Sequence, residues 1–301
     1  MSLKILQFGA TGQLSREILA RPAPGIEVKA LSRADVDLAD AQAVARAIAD
    51  AGPVDLVINA AAYTAVDKAE SEPELAYAVN ARAPRAMARA CQARSIPLIH
   101  ISTDMVFSGA KSGAYVEDDA VGPLHVYGAS KLAGEDGVLD NCDRALVLRV
   151  SWLFSTFGQN FLQAMLRLGE TQPVLKVVDD QRARPTASGD VAAFLLDQAP
   201  RLAALPAGAP QWGLLHFANA GVTTRYEMAK AIFATAWPDR PAPAIEPVPT
   251  SAFPTPARRA LNAELDCTRL DRVFGVQPRP WGAALNEVIG QMMNAKAQVV
   301  A

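Results

Sequence analysis

The sequence predicts an α/β protein built on a doubly wound parallel sheet, with a second, smaller α/β domain toward the C-terminus. Short apolar runs alternate with helical patterns through the first half of the chain. That order demands crossover connections and therefore parallel pairing. Several of the runs are continuously apolar, as strands buried on both faces are. Further on the texture changes: Pro238 to Pro256 holds seven of the chain's 21 prolines, too many for a helix or a central strand.

In chain order, Lys4–Phe8 reads as a buried strand and Gln13–Arg21 as a helix, joined by the turn Gly9-Ala-Thr-Gly12. Glu27–Leu31 is a second strand. Asp40 is a natural N-cap and opens AQAVARAIADA, whose apolar positions recur at helical spacing. Val54–Ala61 (VDLVINAA) is a third strand, Glu72–Arg94 one long alanine-rich helix, and Pro97–Ser102 (PLIHIS) a strand again. Ala145–Phe154 (ALVLRVSWLF) continues the strand series, followed by a helix over Gly189–Leu205 and a strand over Leu214–Ala218. The proline-rich stretch reads as a long irregular cover, and short helices ending in Trp281–Asn294 close the chain. The expectation is a Rossmann-type dinucleotide-binding domain over 1–152 and 186–220, and a substrate domain over 153–185 and 221–301. The cleft between them lies at the carboxyl ends of the strands.

Composition excludes several classes of function. With 301 residues, half of them hydrophobic, the chain can bury one large core or two smaller ones. Its 29 basic and 31 acidic residues nearly cancel, which leaves no nucleic-acid footprint and no polybasic membrane patch. Cys91, Cys142 and Cys267 form no CxxC pair, and the three histidines have no ligand spacing to one another. Both facts argue against a disulfide framework or a structural zinc site. No run of about 18 apolar residues occurs and no signal region opens the chain, so a cytoplasmic location is expected.

The turn after the first strand suits a dinucleotide. Glycines let the backbone approach a pyrophosphate, and the helix N-terminus supplies free N–H groups and a partial positive charge. The spacing is GxxG, with Ser15 where a third glycine would complete the rhythm, so the turn alone is a weak signal. The second strand ends in Ala30-Leu31-Ser32-Arg33 with no carboxylate until Asp35. An arginine there leans toward the 2′-phosphate of NADPH, and Asp37-Leu38 can lie against the adenine. Most single arginines in such a place are merely solvated.

Two further stretches bear chemistry. Ser102-Thr103-Asp104 follows a strand at the carboxyl edge of the sheet, and Tyr127-Gly-Ala-Ser-Lys131 puts tyrosine and lysine one helical turn apart. A tyrosine with an ordinary pKa of about 10 is a weak acid that a neighbouring lysine cation assists. Tyr127 can protonate a carbonyl oxygen as hydride reaches its carbon, Lys131 can hold the nicotinamide ribose, and Thr103 can orient the oxygen. Taken singly, YxxxK is a common chance pattern and a Ser-Thr-Asp run is commonly a capping turn. Their order along the chain, each at its βα position, carries the reading.

These motifs resemble the extended short-chain dehydrogenase/reductase family, and within it the branch that completes dTDP-L-rhamnose synthesis. The resemblance spans nearly the whole chain. It is most specific in NAAAYTAVDKAESEPELAYAVNA (59–81), STDMVFSG (102–109), VYGASKLAGE (126–135), RVSWLF (149–154) and VPTSAFPTPARRALNAEL (248–265). It implies Gly9, Gly12, Gln13 and Leu14 at the pyrophosphate, with Arg33, Asp37 and Leu38 at the adenosine. Ala62, Tyr63 and Thr64 then lie beside the cofactor, and Thr103, Tyr127 and Lys131 are the catalytic trio. Thr103, Asp104 and Trp152 would contact the sugar nucleotide. The implied reaction is reduction of the C4 ketone of dTDP-4-dehydro-L-rhamnose by NADPH or NADH. Ser15 and Met105 depart from the family pattern, which commonly has glycine and tyrosine there. Some relatives hold a magnesium ion between glutamates at a dimer interface. That set of carboxylates is not matched here, Glu17 being one candidate, so no metal site is assigned, and a homodimer is left open. The glutamate that dehydratases need after Thr103-Asp104 is absent, which speaks against elimination. Another nucleotide-sugar 4-ketoreductase, a 4-epimerase or a non-catalytic subunit, such as those beside methionine adenosyltransferase, remains the alternative. Such a subunit has no need of an intact Thr103/Tyr127/Lys131 set.

Overall fold

The computed structural model describes the backbone of residues 2–300 and the side chains through Ala295. β1 (Leu3–Phe8) leads through the glycine turn into α1 (Gln13–Ala20), and β2 (Ile26–Leu31) comes next. α2 (Ala41–Ala49) begins at Asp40, whose carboxylate accepts the Gln42 and Ala43 amides as the sequence predicts. Then come β3 (Leu56–Asn59), α3 (Val66–Ala69), α4 (Pro73–Tyr77), α5 (Ala83–Ala93), β4 (Leu98–Thr103), α6 (Val126–Leu139) and β5 (Ala145–Val150). β6 (Leu153–Phe154), α7 (Phe161–Gly169), β7 (Val174–Val178), β8 (Arg182–Ala183), β9 (Thr186–Ala187) and α8 (Ser188–Ala204) continue the chain. The last elements are β10 (Gly213–Phe217), β11 (Thr223–Thr224), α9 (Arg225–Ala236), β12 (Ala244–Val248), α10 (Thr268–Phe274) and α11 (Trp281–Val300).

The central sheet has the order β10-β5-β4-β3-β1-β2, with every neighbouring pair parallel. β2 and β3 lie on opposite sides of β1, so the chain reverses its direction of travel there. That reversal opens the crevice at the carboxyl ends of β1 and β3 where ligands of such sheets bind. One face packs on α1 and α8 through Ile18, Val191 and Leu195. The other packs on α2 and α5 through Ile48 and Met87. A separate cluster joins Phe154, Leu162, Leu175, Ile232 and Leu285, from β6, α7, β7, α9 and α11. No helix among the described residues is long and apolar enough to cross a membrane.

Three sequence expectations are corrected. The single helix over Glu72–Arg94 is instead α4 and α5 joined by a π turn over Ala78–Arg82. Pro84 explains the interruption, because it offers no N–H to the carbonyl of Asn80. That carbonyl abuts α6 at Gly134, where a Cβ would sit 2.0 Å from it. The run Ala145–Phe154 is not one strand. β5 ends at Val150, Trp152 turns into the left-handed region with φ 43°, and β6 pairs with β9 outside the central sheet. The proline-rich stretch is not wholly irregular either. β12 within it pairs in parallel with β7, and as an edge strand it tolerates Pro247.

Candidate active site

A cavity of about 800 Å³ opens over the carboxyl ends of the central strands. At one end the backbone of Gly9 takes φ 98°, and a Cβ there would lie 2.9 Å from Ser15 Oγ and 3.2 Å from Ala61. Glycine is therefore required by both backbone and space. Gly12 caps α1 without any side-chain bond, and Gly12, Gln13 and Leu14 border the cavity. The opening amides of a helix have no helical acceptors, so this end fits the pyrophosphate of a dinucleotide. Ser15 is buried and its hydroxyl has no partner among the described residues. It packs beneath Gly9 and leaves the turn intact.

The other end is built on the strand-end triplet. Thr103 Oγ1 accepts the Met105 amide at 3.1 Å and donates to Asp104 Oδ1 at 2.9 Å; Ser151 Oγ donates to Asp104 Oδ2 at 2.6 Å. Burial raises the Asp104 pKa against these bonds. α6 is capped by His125, whose Nδ1 accepts the Gly128 amide at 3.0 Å. A Cβ on Gly128 would stand 2.3 Å from the Met105 carbonyl, so α6 lies directly on the triplet and brings Tyr127 to it. Tyr127 is 9% exposed. Burial and then the Asp104 charge hold its phenol above the ordinary value, opposed by Thr103. Lys131 is 1% exposed and donates to the Ile101 carbonyl at 2.7 Å, with His100 Nε2 at 3.3 Å. Burial lowers its pKa to about 8, partly offset by Glu135.

This corrects one expectation. The Tyr127 pKa is raised and not lowered, because burial and then the Asp104 charge govern the phenol while the Lys131 amine is bonded to the Ile101 carbonyl of β4. Burial thus keeps the Tyr127 phenol protonated.

Of the residues singled out in the sequence, Gly12, Gln13, Leu14, Ala62 and Thr64 border the cavity, as do Thr103, Asp104, Tyr127, Lys131 and Trp152. Five lie outside its lining. Gly9 lies outside it, where β1 passes into the glycine turn. Arg33 is exposed in the turn after β2, where Asp35 folds back onto Ser32 with Oδ2 2.8 Å from its amide. Asp37 accepts the Ala39 amide at 2.9 Å, and Leu38 packs against the α2 face of the core. Tyr63 donates its hydroxyl to Glu72 at 2.8 Å and packs in the cluster that holds Tyr127.

Sequence reasoning missed Arg225. It is the first residue of α9, and its guanidinium carbon lies 3.5 Å from the Trp152 ring centroid and 4.8 Å from that of Phe161. It borders the cavity, and no hydrogen bond or ion pair engages it among the described residues. Burial lowers its pKa to about 9 while Asp104 opposes the shift. Its neighbour Arg259 is committed elsewhere, to Asp67 at 2.9 Å and to the Ala257 carbonyl at 2.9 Å. A cation in the first turn of a helix opposes the macrodipole, and that misplacement was the available signal.

A glycine turn at the reversal of a doubly wound sheet, facing a helix-borne tyrosine and lysine across one cavity, defines an NAD(P)-dependent oxidoreductase of the extended short-chain class. The comparisons agree. The family model described as RmlD substrate binding domain matches residues 3–294, and the chain belongs to the dTDP-4-dehydrorhamnose reductase family. The dTDP-4-dehydrorhamnose reductase of Sinorhizobium fredii is 38% identical over 293 residues, covering 97% of this chain and 98% of the relative. The crystal structure of the Clostridium acetobutylicum dTDP-4-dehydrorhamnose reductase superimposes with TM-score 0.89 at 34% identity, covering 97% of this chain and 100% of that one. The Bacillus anthracis enzyme of the same name, in complex with NADP, gives TM-score 0.88 at 30% identity with the same coverage of 97% and 100%.

Proposed function

We propose that the chain reduces the C4 ketone of dTDP-4-dehydro-β-L-rhamnose to dTDP-β-L-rhamnose, the last step of dTDP-L-rhamnose synthesis, with NADPH as the donor and NADH as its substitute. The observation that carries this is the single cavity bordered by both the glycine turn and the Thr103/Tyr127/Lys131 cluster. When bound, the dinucleotide supplies the hydride to the carbonyl carbon.

The chain's own residues do the rest. The amides at Gly12, Gln13 and Leu14 hold the pyrophosphate, with Gly9 giving the turn its shape. Arg33, exposed in the turn after β2 where the Asp35 carboxylate is held by Ser32, takes the 2′-phosphate, and Asp37 and Leu38 flank the adenosine. Ala62, Tyr63 and Thr64 form the wall beside the cofactor. Tyr127 donates its phenolic proton to the ketone oxygen as negative charge develops there, and Lys131 holds the ribose and stabilises the phenolate left behind. Thr103 orients the oxygen, Asp104 and Trp152 meet the sugar, and the free donors of Arg225 are available to acceptor oxygens of the nucleotide sugar. Residues 153–185 and 221–301 act as the substrate domain of a cytoplasmic enzyme. The test is a purified protein free of bound NAD that consumes one NADPH per ketone reduced. Tightly retained NAD with no net oxidation of NADPH points instead to an epimerase, and no oxidation with either the dTDP or the UDP substrate to a non-catalytic protein.

A further inference from the structure

We infer that His100 is a positioning residue: fixed by Asn59 as the tautomer protonated at Nε2, it aims a buried N–H at Lys131 and penalises the ammonium, so that the lysine gives up its proton more readily. The inference deepens the proposed role of Lys131 and rests on it for its kinetic consequence.

The orientation of each group is set by its neighbour. The Ala61 amide donates to Asn59 Oδ1 at 3.2 Å, which fixes which end of the Asn59 side chain is oxygen. Asn59 Nδ2 then faces His100 Nδ1 at 2.9 Å. An amide nitrogen only donates, so Nδ1 must accept, and the single proton of a neutral imidazole resides on Nε2. The ring is neutral because His100 is wholly buried, which holds its pKa well below the ordinary histidine value. Nε2 lies 3.3 Å from Lys131 Nζ.

Lys131 can meet this donor in one way. A neutral amine has two N–H groups and a lone pair. One N–H serves the Ile101 carbonyl at 2.7 Å, the lone pair accepts from His100, and the second N–H is left for the cavity. An ammonium has three donors and no lone pair. Its third N–H would confront the His100 N–H and leave a buried donor orphaned.

The charged groups nearby do not reverse this. Glu135, one turn further along α6, favours the ammonium, but its carboxylate is already engaged by Arg149 of β5 at 2.6 Å and by Ser102 of β4. Asp104, in the turn after β4, is bonded to Thr103 and Ser151. Tyr127, on α6 itself, is neutral until it gives up its proton. Asn80, from the π turn, directs its amide to Ser130 at 3.0 Å. With its pKa at about 8 the lysine is still mostly protonated at neutral pH, and the His100 N–H lowers the pH at which it gives that proton up.

Two measurements decide the point. Long-range ¹H–¹⁵N NMR of the unliganded protein reads the His100 tautomer directly and needs no substrate, so it stands even where the reductase reading fails. A pyridine-like Nδ1 and a protonated Nε2 are expected; a proton on Nδ1 overturns the inference. The second is the alkaline limb of the kcat/KM profile in His100→Gln, whose amide can turn its oxygen toward the lysine. The limb should move up by about one pH unit, the tenfold change in protonation that removing one orphaned buried donor implies. A folded variant, shown by unchanged NADPH affinity, whose limb stays in place overturns the inference.

Discussion

Arg225→Leu separates a structural role for this guanidinium from a binding role. Its stacking on Trp152 at 3.5 Å and Phe161 at 4.8 Å stabilises the fold by about 0.5–2 kcal/mol. Against that, the charge is held where burial disfavours it, with its pKa pulled down to about 9 and no acceptor among the described residues to compensate. The two effects oppose each other and the leucine keeps an apolar contact with the rings. The folding free energy should therefore change by less than about 1 kcal/mol. Binding has no such cancellation. A charge-assisted hydrogen bond is worth about 1.5–3 kcal/mol, and each 1.4 kcal/mol is tenfold in affinity. Losing one such bond should weaken dTDP-sugar binding by roughly tenfold to a hundredfold, with NADPH affinity unchanged. Calorimetric titration with dTDP-rhamnose, beside thermal denaturation, reads both quantities. Unchanged dTDP-sugar affinity together with a sharply lower Tm would refute the reasoning, because Arg225 would then be packing alone.

Tyr127→Phe should abolish turnover while NADPH still binds, as followed by nucleotide fluorescence; near-normal kcat would remove Tyr127 as the proton donor. Ser15→Gly should leave the KM for NADPH nearly unchanged, since Ser15 already fits beneath Gly9 with its hydroxyl unbonded; a large improvement would show that the serine distorts the turn. Stability should decline in acid. His100 and His216 are buried and held below the ordinary histidine value, His216 at about 3. Below about pH 6.5 the unfolded chain takes up protons that the folded one refuses, so stability is complete above that pH. It then falls by up to about 1.4 kcal/mol per pH unit for each histidine. A Tm that holds steady from pH 7 to 5.5 would contradict this.

The fold and half of the site were legible because their causes are local. Continuous apolar runs such as VDLVINAA state their own burial, the glycine turn states its φ, and Asp40 caps the helix that begins beside it. The YGASK spacing likewise sets its own geometry once it is helical. The features that escaped depend on distant partners. Pro84 breaks a helix whose alanines promise continuity, and the freed Asn80 carbonyl makes sense only against Gly134 of α6. Trp152 turns out of a strand-like run, and its ring meets Arg225, 73 residues later in the chain. The lysine-to-tyrosine assistance inferred from spacing gave way to burial, which no spacing encodes. Arg33, Asp37 and Leu38 were read from the end of the second strand, and they follow β2 outside the residues that border the cavity.

The central claim is that one cavity brings a dinucleotide's hydride and the Tyr127 proton to the same ketone. It is tested most directly by single-turnover reduction of dTDP-4-dehydro-L-rhamnose with NADPH deuterated at the transferable position. The account predicts one NADP⁺ per product and one deuterium at C4 of dTDP-L-rhamnose, with both lost in Tyr127→Phe. Product formed without deuterium at C4, or NADPH left unoxidised by the wild-type protein, would contradict it.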